Sequence, residues 1–474
     1  MAINVISEKE PKAGTLGRAE LYALAVGQVI GAGVITLIVP AIKMTGYSAW
    51  LAYLVAIIFG FVIISPAIFI TSTLRLGGGY YSLICDLSGP KWAGVFAFIF
   101  LTQCVSLSLF GVAASEYFGD LIPAISSPMA KTVVGASLLT FFFIVNLMGV
   151  DIMAKVQKIM TWLLIACLFV FAVVGTTKIK LPIFDFSNKN FMPYGFMNFK
   201  DGKLTSGFFT AVLLFVYSCQ GYVMNLAYGE DAKNARKDIP WSMLVTVPTL
   251  IVLYVGVAIA ATGCLSIQEY GKSTSLVYAA KVIFPTALFF IFIIGGPIMA
   301  LLTTLNSSFA YNSITIGQSC EDGWLPKQFG AKNSRGARKW ALLFMYILGL
   351  IPILLRFNIQ TITNQIQLLG AVMNFLYLFA YVNMPKKYPE AWEKASLHVP
   401  DGVFYTDIIF SIAFNLIVLW KSCLSINTSI VVVSLAAIAI CFALGFMCAK
   451  KGNITIHTSV WAEEDSNVIE QNSI

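Results

Sequence analysis

Apolar residues in this chain gather in long unbroken runs, and the short clusters between the runs carry nearly all of the charge. Twelve such runs are long enough to span a bilayer: 21–42, 44–74, 92–115, 132–150, 159–177, 204–229, 239–268, 282–320, 340–355, 357–385, 402–420 and 422–449. A 30 Å hydrocarbon core takes about 20 apolar residues as a helix. Lipid offers no water to backbone amides, so each run is predicted as a helix that satisfies its own hydrogen bonds. The run 340–355, with 16 residues, is the short one, and snorkelling of Lys339 and Arg356 at its ends extends it.

Two runs are interrupted. Gly27-Gln28-Val29-Ile30-Gly31-Ala32-Gly33 breaks the first, and Tyr217-Ser218-Cys219-Gln220-Gly221 breaks the sixth. If runs one to five and six to ten are repeats of opposite topology, the first member of each should be the broken one. The organisation expected is an all-α membrane protein of 12 transmembrane helices. A leucine-transporter-like 5+5 inverted repeat would have broken helices 1 and 6, with helices 11 and 12 added. Repeat one covers about 21–177, repeat two about 204–385, and the last two helices about 402–449. They form a single domain, 21–449, between an N-terminal segment 1–20 and a tail 450–474. A competing reading of the first break is packing, since Gly27 and Gly31 have the GxxxG spacing that lets membrane helices approach closely.

Composition narrows the class. Of 474 residues 58% are hydrophobic and 11% charged, against roughly 25% charged in soluble domains. With the first run entering from the cytoplasm, twenty of the 31 Lys and Arg residues fall on the cytoplasmic side and eleven opposite, which puts both termini in the cytoplasm. The net charge of +8 is then mainly a topological signal, and a nucleic-acid partner is not expected. Residues 1–20 are polar with mixed charge, so a secretory signal is not expected. Nine scattered cysteines read as small hydrophobes, with no metal or cofactor site expected.

Unwinding at the first break exposes N–H groups on one half-helix and carbonyls on the other, an anion site beside a cation site. An α-amino acid carries both charges on one carbon. Its carboxylate suits the N–H groups and its ammonium the carbonyls of Ile30 and the second break, with glycine letting the backbone approach. The two broken runs contain no Asp, Glu, Lys, Arg or His, which favours a neutral substrate. Candidates for side-chain contacts are Gln103, Ser106, Ser218, Gln220, Asn306 and Ser307, each also readable as an interhelical hydrogen bond that only packs the bundle.

Four motifs in order carry a family resemblance: Ile30-Gly31-Ala32-Gly33, Gly77-Gly78-Gly79-Tyr80, the stretch from Gly221 to Pro240, and Asp322-Gly323-Trp324-Leu325-Pro326. On these the chain resembles the amino acid, polyamine and organocation superfamily over nearly its full length. The resemblance implies a substrate carboxylate on the amides of Ala32 and Gly33. It implies an ammonium on the carbonyls of Ile30, Tyr217 and Gln220, with Tyr217 closing over the substrate and Gly221 turning the chain. Many proton-coupled members carry a lysine where Leu164 stands and an acidic residue where Val223 stands, so proton symport by that route is not implied. Lys158 reads as a cytoplasmic-edge anchor, and a sodium site built on Asn306, Ser307 and Ser308 stays open.

These readings converge on an amino acid permease or exchanger of the plasma membrane that uses alternating access. The alternative is a sodium-coupled or amine or polyamine carrier on the same fold. An accessory subunit is left unassigned. A membrane enzyme would need acid-base or metal groups at a reacting centre, and a channel a filter-like loop or ring of charge. Neither pattern is found in the runs.

Overall fold

A computed structural model describes residues 4–462, apart from 201–202, 272–274, 358, 426–427 and 452–453. The first interrupted crossing and its return are α1 (Arg18–Val29), α2 (Ala32–Thr36), α3 (Ile38–Thr45) and α4 (Ala49–Thr73). The next helices are α5 (Gly79–Ser88), α6 (Pro90–Gln103), α7 (Ser106–Leu121), α8 (Pro128–Leu147) and α9 (Val150–Thr176). A second series follows with α10 (Phe208–Val216), α11 (Ala235–Leu250), α12 (Gly256–Cys264), α13 (Ile267–Tyr270), α14 (Leu276–Ile283), α15 (Thr286–Ile293) and α16 (Met299–Glu321). The chain closes with α17 (Lys339–Leu354), α18 (Ile359–Tyr381), α19 (Met384–Lys387), α20 (Pro389–Glu393), α21 (Asp401–Ser425) and α22 (Thr428–Lys451).

Among the described residues ten helical segments are long and apolar enough to cross a membrane. Lys339–Leu354 is a shorter apolar helix, in line with its 16-residue run. Several crossings are composite. α11 and α12 are joined through a π-helical turn, Ile251–Val255, and α15 and α16 through another, Ile294–Ile298, which holds Pro297. Proline lacks the amide that an α-turn needs there, and widening the turn absorbs the defect.

One apolar cluster, with α1, α4, α9 and α16 among its members, runs through helices from both halves of the chain. α22 is peripheral, with only 17% of its most apolar window buried. The exposed apolar side chains of α8, α9 and α22, Phe141, Ile159 and Val432 among them, suit a lipid-facing surface. The run 402–420 is not free of charge: Asp407 lies in α21, and its Oδ2 accepts the Ser65 hydroxyl at 2.8 Å. That hydrogen bond ties α21 to α4.

The chain ends meet on one face. Strand β1 (Asn4–Ile6) pairs in parallel with β5 (Thr455–His457), and β2 (Leu74–Leu76) pairs antiparallel with β6 (Val460–Ala462). On the opposite face β3 (Asn198–Lys200) and β4 (Lys203–Ser206) form a small hairpin within the 178–206 loop. With residues 4–6 and 455–462 on one face, the number of crossings between them is even.

Candidate functional site

The helix ladder of α1 ends at Ile30, whose amide bonds Val26 O at 2.9 Å. The Gly31 amide bonds Val29 O at 3.0 Å, and regular helix restarts with α2 at Ala32 and closes where Leu37 N–H reaches Gly33 O. Ala32 and Gly33 therefore open the first turn of α2, where amides have no carbonyl from a preceding turn. The turn itself is made at Ile30 (ψ 78°) and at Gly31, whose backbone is extended (φ −103°). Neither position needs the left-handed region, so glycine is there for space. A Cβ on Gly31 would sit 3.0 Å from Thr304 Oγ1, and one on Gly33 2.5 Å from Ser218 Cβ.

The second break lies against the first. α10 ends at Val216, a single 3₁₀ turn covers Tyr217–Cys219, and a 3₁₀ helix follows from Gly221 to Tyr228. A Cβ on Gly221 would lie 2.7 Å from Gln28 O and 2.9 Å from Val29 Cα, so the two broken backbones touch. Tyr254, carried on the π turn between α11 and α12, ties them together. Its hydroxyl donates to Val29 O at 2.9 Å, with Ser218 O a longer 3.4 Å away. Tyr53 of α4 stacks on Phe215 at 3.8 Å and shares a 3.0 Å hydrogen bond with Ser218 Oγ. The Gln220 carbonyl accepts the Val223 amide at 3.3 Å, and a carbonyl keeps a second lone pair for another donor.

Exposure marks the open space. Tyr217 is 52% exposed between the buried Val216 and Ser218, while Gly31, Gly33, Gln220 and Gly221 are each part-exposed. Between α6 and α7 lies a hinge that the sequence pattern does not mark. α6 and α7 meet at Cys104 and Val105 through i→i+3 bonds, with Cys104 N–H on Leu101 O and Ser108 N–H on Val105 O, both 3.1 Å. Gln103 and Ser106 flank it. Gln103 Nε2 is buried without a hydrogen-bond partner among the described residues, and a Cβ on Gly370 of α18 would lie 3.9 Å from it. No glycine or proline marks Thr102-Gln103-Cys104-Val105-Ser106, so the sequence carried no breaker signal for this turn.

The polar run of α16 packs against the first break and against α8 and α9. Asn306 is fully buried and spends its amide on packing: Nδ2 donates to Gln157 Oε1 (2.9 Å) and Met153 O (3.3 Å), and Oδ1 accepts Asn146 Nδ2 (3.1 Å). Ser307 donates to Gln28 Oε1 and to Thr303 O, and Gln28 Nε2 approaches Ser308 Oγ at 3.5 Å. Gly27 packs too, since a Cβ there would come 2.1 Å from Gln157 Nε2. Leu164 is fully buried in α9, Val223 is 6% exposed, and Lys158 pairs with Glu20 at 2.6 Å where α9 meets α1.

Unwound backbone at mid-span, bordered by hydroxyls and carboxamides, is equipped to bind a small polar solute. Comparison with known proteins agrees. The amino acid permease family profile matches residues 16–462. The chain is similar to a methylthioribose transporter of Bacillus subtilis, 24% identical over 83% of this chain and 86% of that one. It is similar to a branched-chain amino acid permease of the same organism, 24% identical over 54% of this chain and 56% of that one. An uncharacterised protein of Methanocaldococcus jannaschii is also 24% identical, over 77% of this chain and 80% of its own.

Proposed function

This chain belongs to the amino acid permease family and is a secondary transporter, and on that footing we propose that it moves neutral α-amino acids across the plasma membrane by alternating access. The observation that carries this reading is the contact between the two broken helices. Amides of Ala32 and Gly33 take the substrate carboxylate, and carbonyls of Ile30, Tyr217 and Gln220 take the ammonium. Tyr217, half-exposed at the junction, covers the bound molecule. No charged side chain stands among these residues, so a net charge on the substrate would go uncompensated.

In this reading both termini face the cytoplasm, the two halves are inverted repeats, and no catalytic group or cofactor takes part. Gln103, whose Nε2 at the hinge of α6 and α7 has no hydrogen-bond partner among the described residues, supports a contact to the substrate side chain, with Ser106 beside it. The geometry of Asn306 and Ser307 supports a packing role. The names of the two Bacillus subtilis relatives, one for a thioether sugar and one for branched-chain amino acids, both fit an uncharged cargo. A sodium-coupled or amine carrier is the competing reading.

Uptake of labelled amino acids into liposomes holding the purified protein separates these. Uptake only into liposomes preloaded with unlabelled neutral amino acids identifies an exchanger. Uptake into empty liposomes that depends on sodium identifies the competing carrier. No uptake of any amino acid under either condition would overturn the substrate assignment.

A further inference from the structure

We propose that residues 454–462 form a strap that holds the terminus-bearing face of the carrier shut, and that a lane of polar residues on α16 beneath it is the path by which substrate leaves on that side. The inference rests on the alternating-access reading above. Two independent observations support it.

The first is what the strap joins. The Thr455 amide donates to Asp322 O at 3.1 Å and the His457 amide to Asp322 Oδ1 at 3.0 Å, fixing the strap to the end of α16. Gly77 N–H donates to Ser459 O at 2.7 Å, and Ser82 Oγ meets Ser459 Oγ at 2.6 Å, fixing it beyond α4 and on α5. Arg236 Nη2 donates to Trp461 O at 2.9 Å, fixing it to the first turn of α11. Parallel pairing of β5 with β1 and the His457–Glu8 contact at 2.8 Å bring residues 4–8 into the same clasp. Opening this face means moving those helix ends apart, and the strap spans all of them. It does so through three-residue ladders, which are marginal on their own, so it is built to come off.

The second is what lies beneath. Ser308, Asn312, Thr315, Ser319 and Asp322 follow one another at intervals of three and four, which puts them on one face of α16. All are at most 3% exposed. The lane starts beside Gln28 at the first break and ends at the strap's anchor. Inside it Asn312 has neither amide atom hydrogen-bonded among the described residues. A buried carboxamide with both ends unpaired is costly, and a state in which water and substrate fill the lane supplies its partners.

Leu76 and Val460 are register partners in the β2–β6 ladder, where paired Cα atoms lie roughly 4.5–5.5 Å apart, within disulfide reach. The test is to lock the strap with Leu76→Cys plus Val460→Cys, and separately to end the chain at residue 453. Asn312→Cys serves as reporter, read with a membrane-impermeant maleimide applied from the terminus-bearing face. Oxidising the lock should abolish labelling and amino acid exchange, with reductant restoring both, and the shortened chain should label several-fold faster. Equal labelling with the lock oxidised and reduced would overturn the strap, whether or not the shortened chain folds. Labelling that follows the lock while no form carries amino acids would leave the strap standing and overturn the substrate assignment instead.

Discussion

At Gly33 and Gly27 the same residue type does two different jobs, and single methyl groups separate them. An added Cβ at position 33 would press within 2.5 Å of Ser218 Cβ, forcing the two broken helices apart at the site proposed for the substrate. Gly33→Ala should therefore weaken substrate binding at least tenfold, read as loss of the ligand-induced shift in Tm. At Gly27 the obstacle is the Gln157 side chain of α9. Gly27→Ala should lower stability by about 1–3 kcal/mol, as overpacking does, with substrate affinity kept. Tyr254→Phe removes the hydroxyl that donates to Val29 O and leaves that carbonyl only the Gly31 amide. A cost of about 0.5–1.5 kcal/mol is expected, together with slower transport because the two breaks are no longer tied.

Between elements, the network of Asn146, Gln157 and Asn306 fastens α16 to α8 and α9. Asn306→Ala should lower Tm and leave the KM for uptake unchanged. A raised KM at unchanged Tm would instead put Asn306 in the pocket. The breaks illustrate how elements divide the work. α2 is too short to be stable alone and is held in place by α3, α14 and the 3₁₀ turn Tyr217–Cys219 packed against it.

For the whole molecule, pH bears on the strap through Asp322, which burial pushes up to about 6. The groups facing it are Tyr81 and Cys85 of α5, Gln318 of α16, and His457 with Glu8 behind it. Once the strap is released and hydrated, Asp322 returns to the ordinary carboxylate range near 4. The strapped form thus binds the proton more tightly, so acidification through 6 favours it and a rise above 6 loosens it. A spin label at Thr458→Cys should be less mobile at pH 5 than at pH 7.5, and Asp322→Asn should flatten that difference.

Membrane class, helical content and the two breaks were all legible in the chain, because long charge-free runs leave the backbone no partner but itself and glycine clusters show where that rule is suspended. Position along the sequence could not show that Gly221 lies against Gln28, that Gly27 packs on Gln157 while Gly33 faces Ser218, or that Asn306 spends its amide on α8 and α9. Those outcomes depend on which faces meet. The hinge at Cys104 escaped notice because no breaker residue encodes it: packing against neighbouring helices bends an ordinary sequence there. The strap escaped for a related reason, since its three-residue strands are too short to show an alternating pattern. Local chemistry was written in the sequence, and the pairing of distant surfaces was decided only when the bundle closed, since burial and hydrogen bonding are settled between elements.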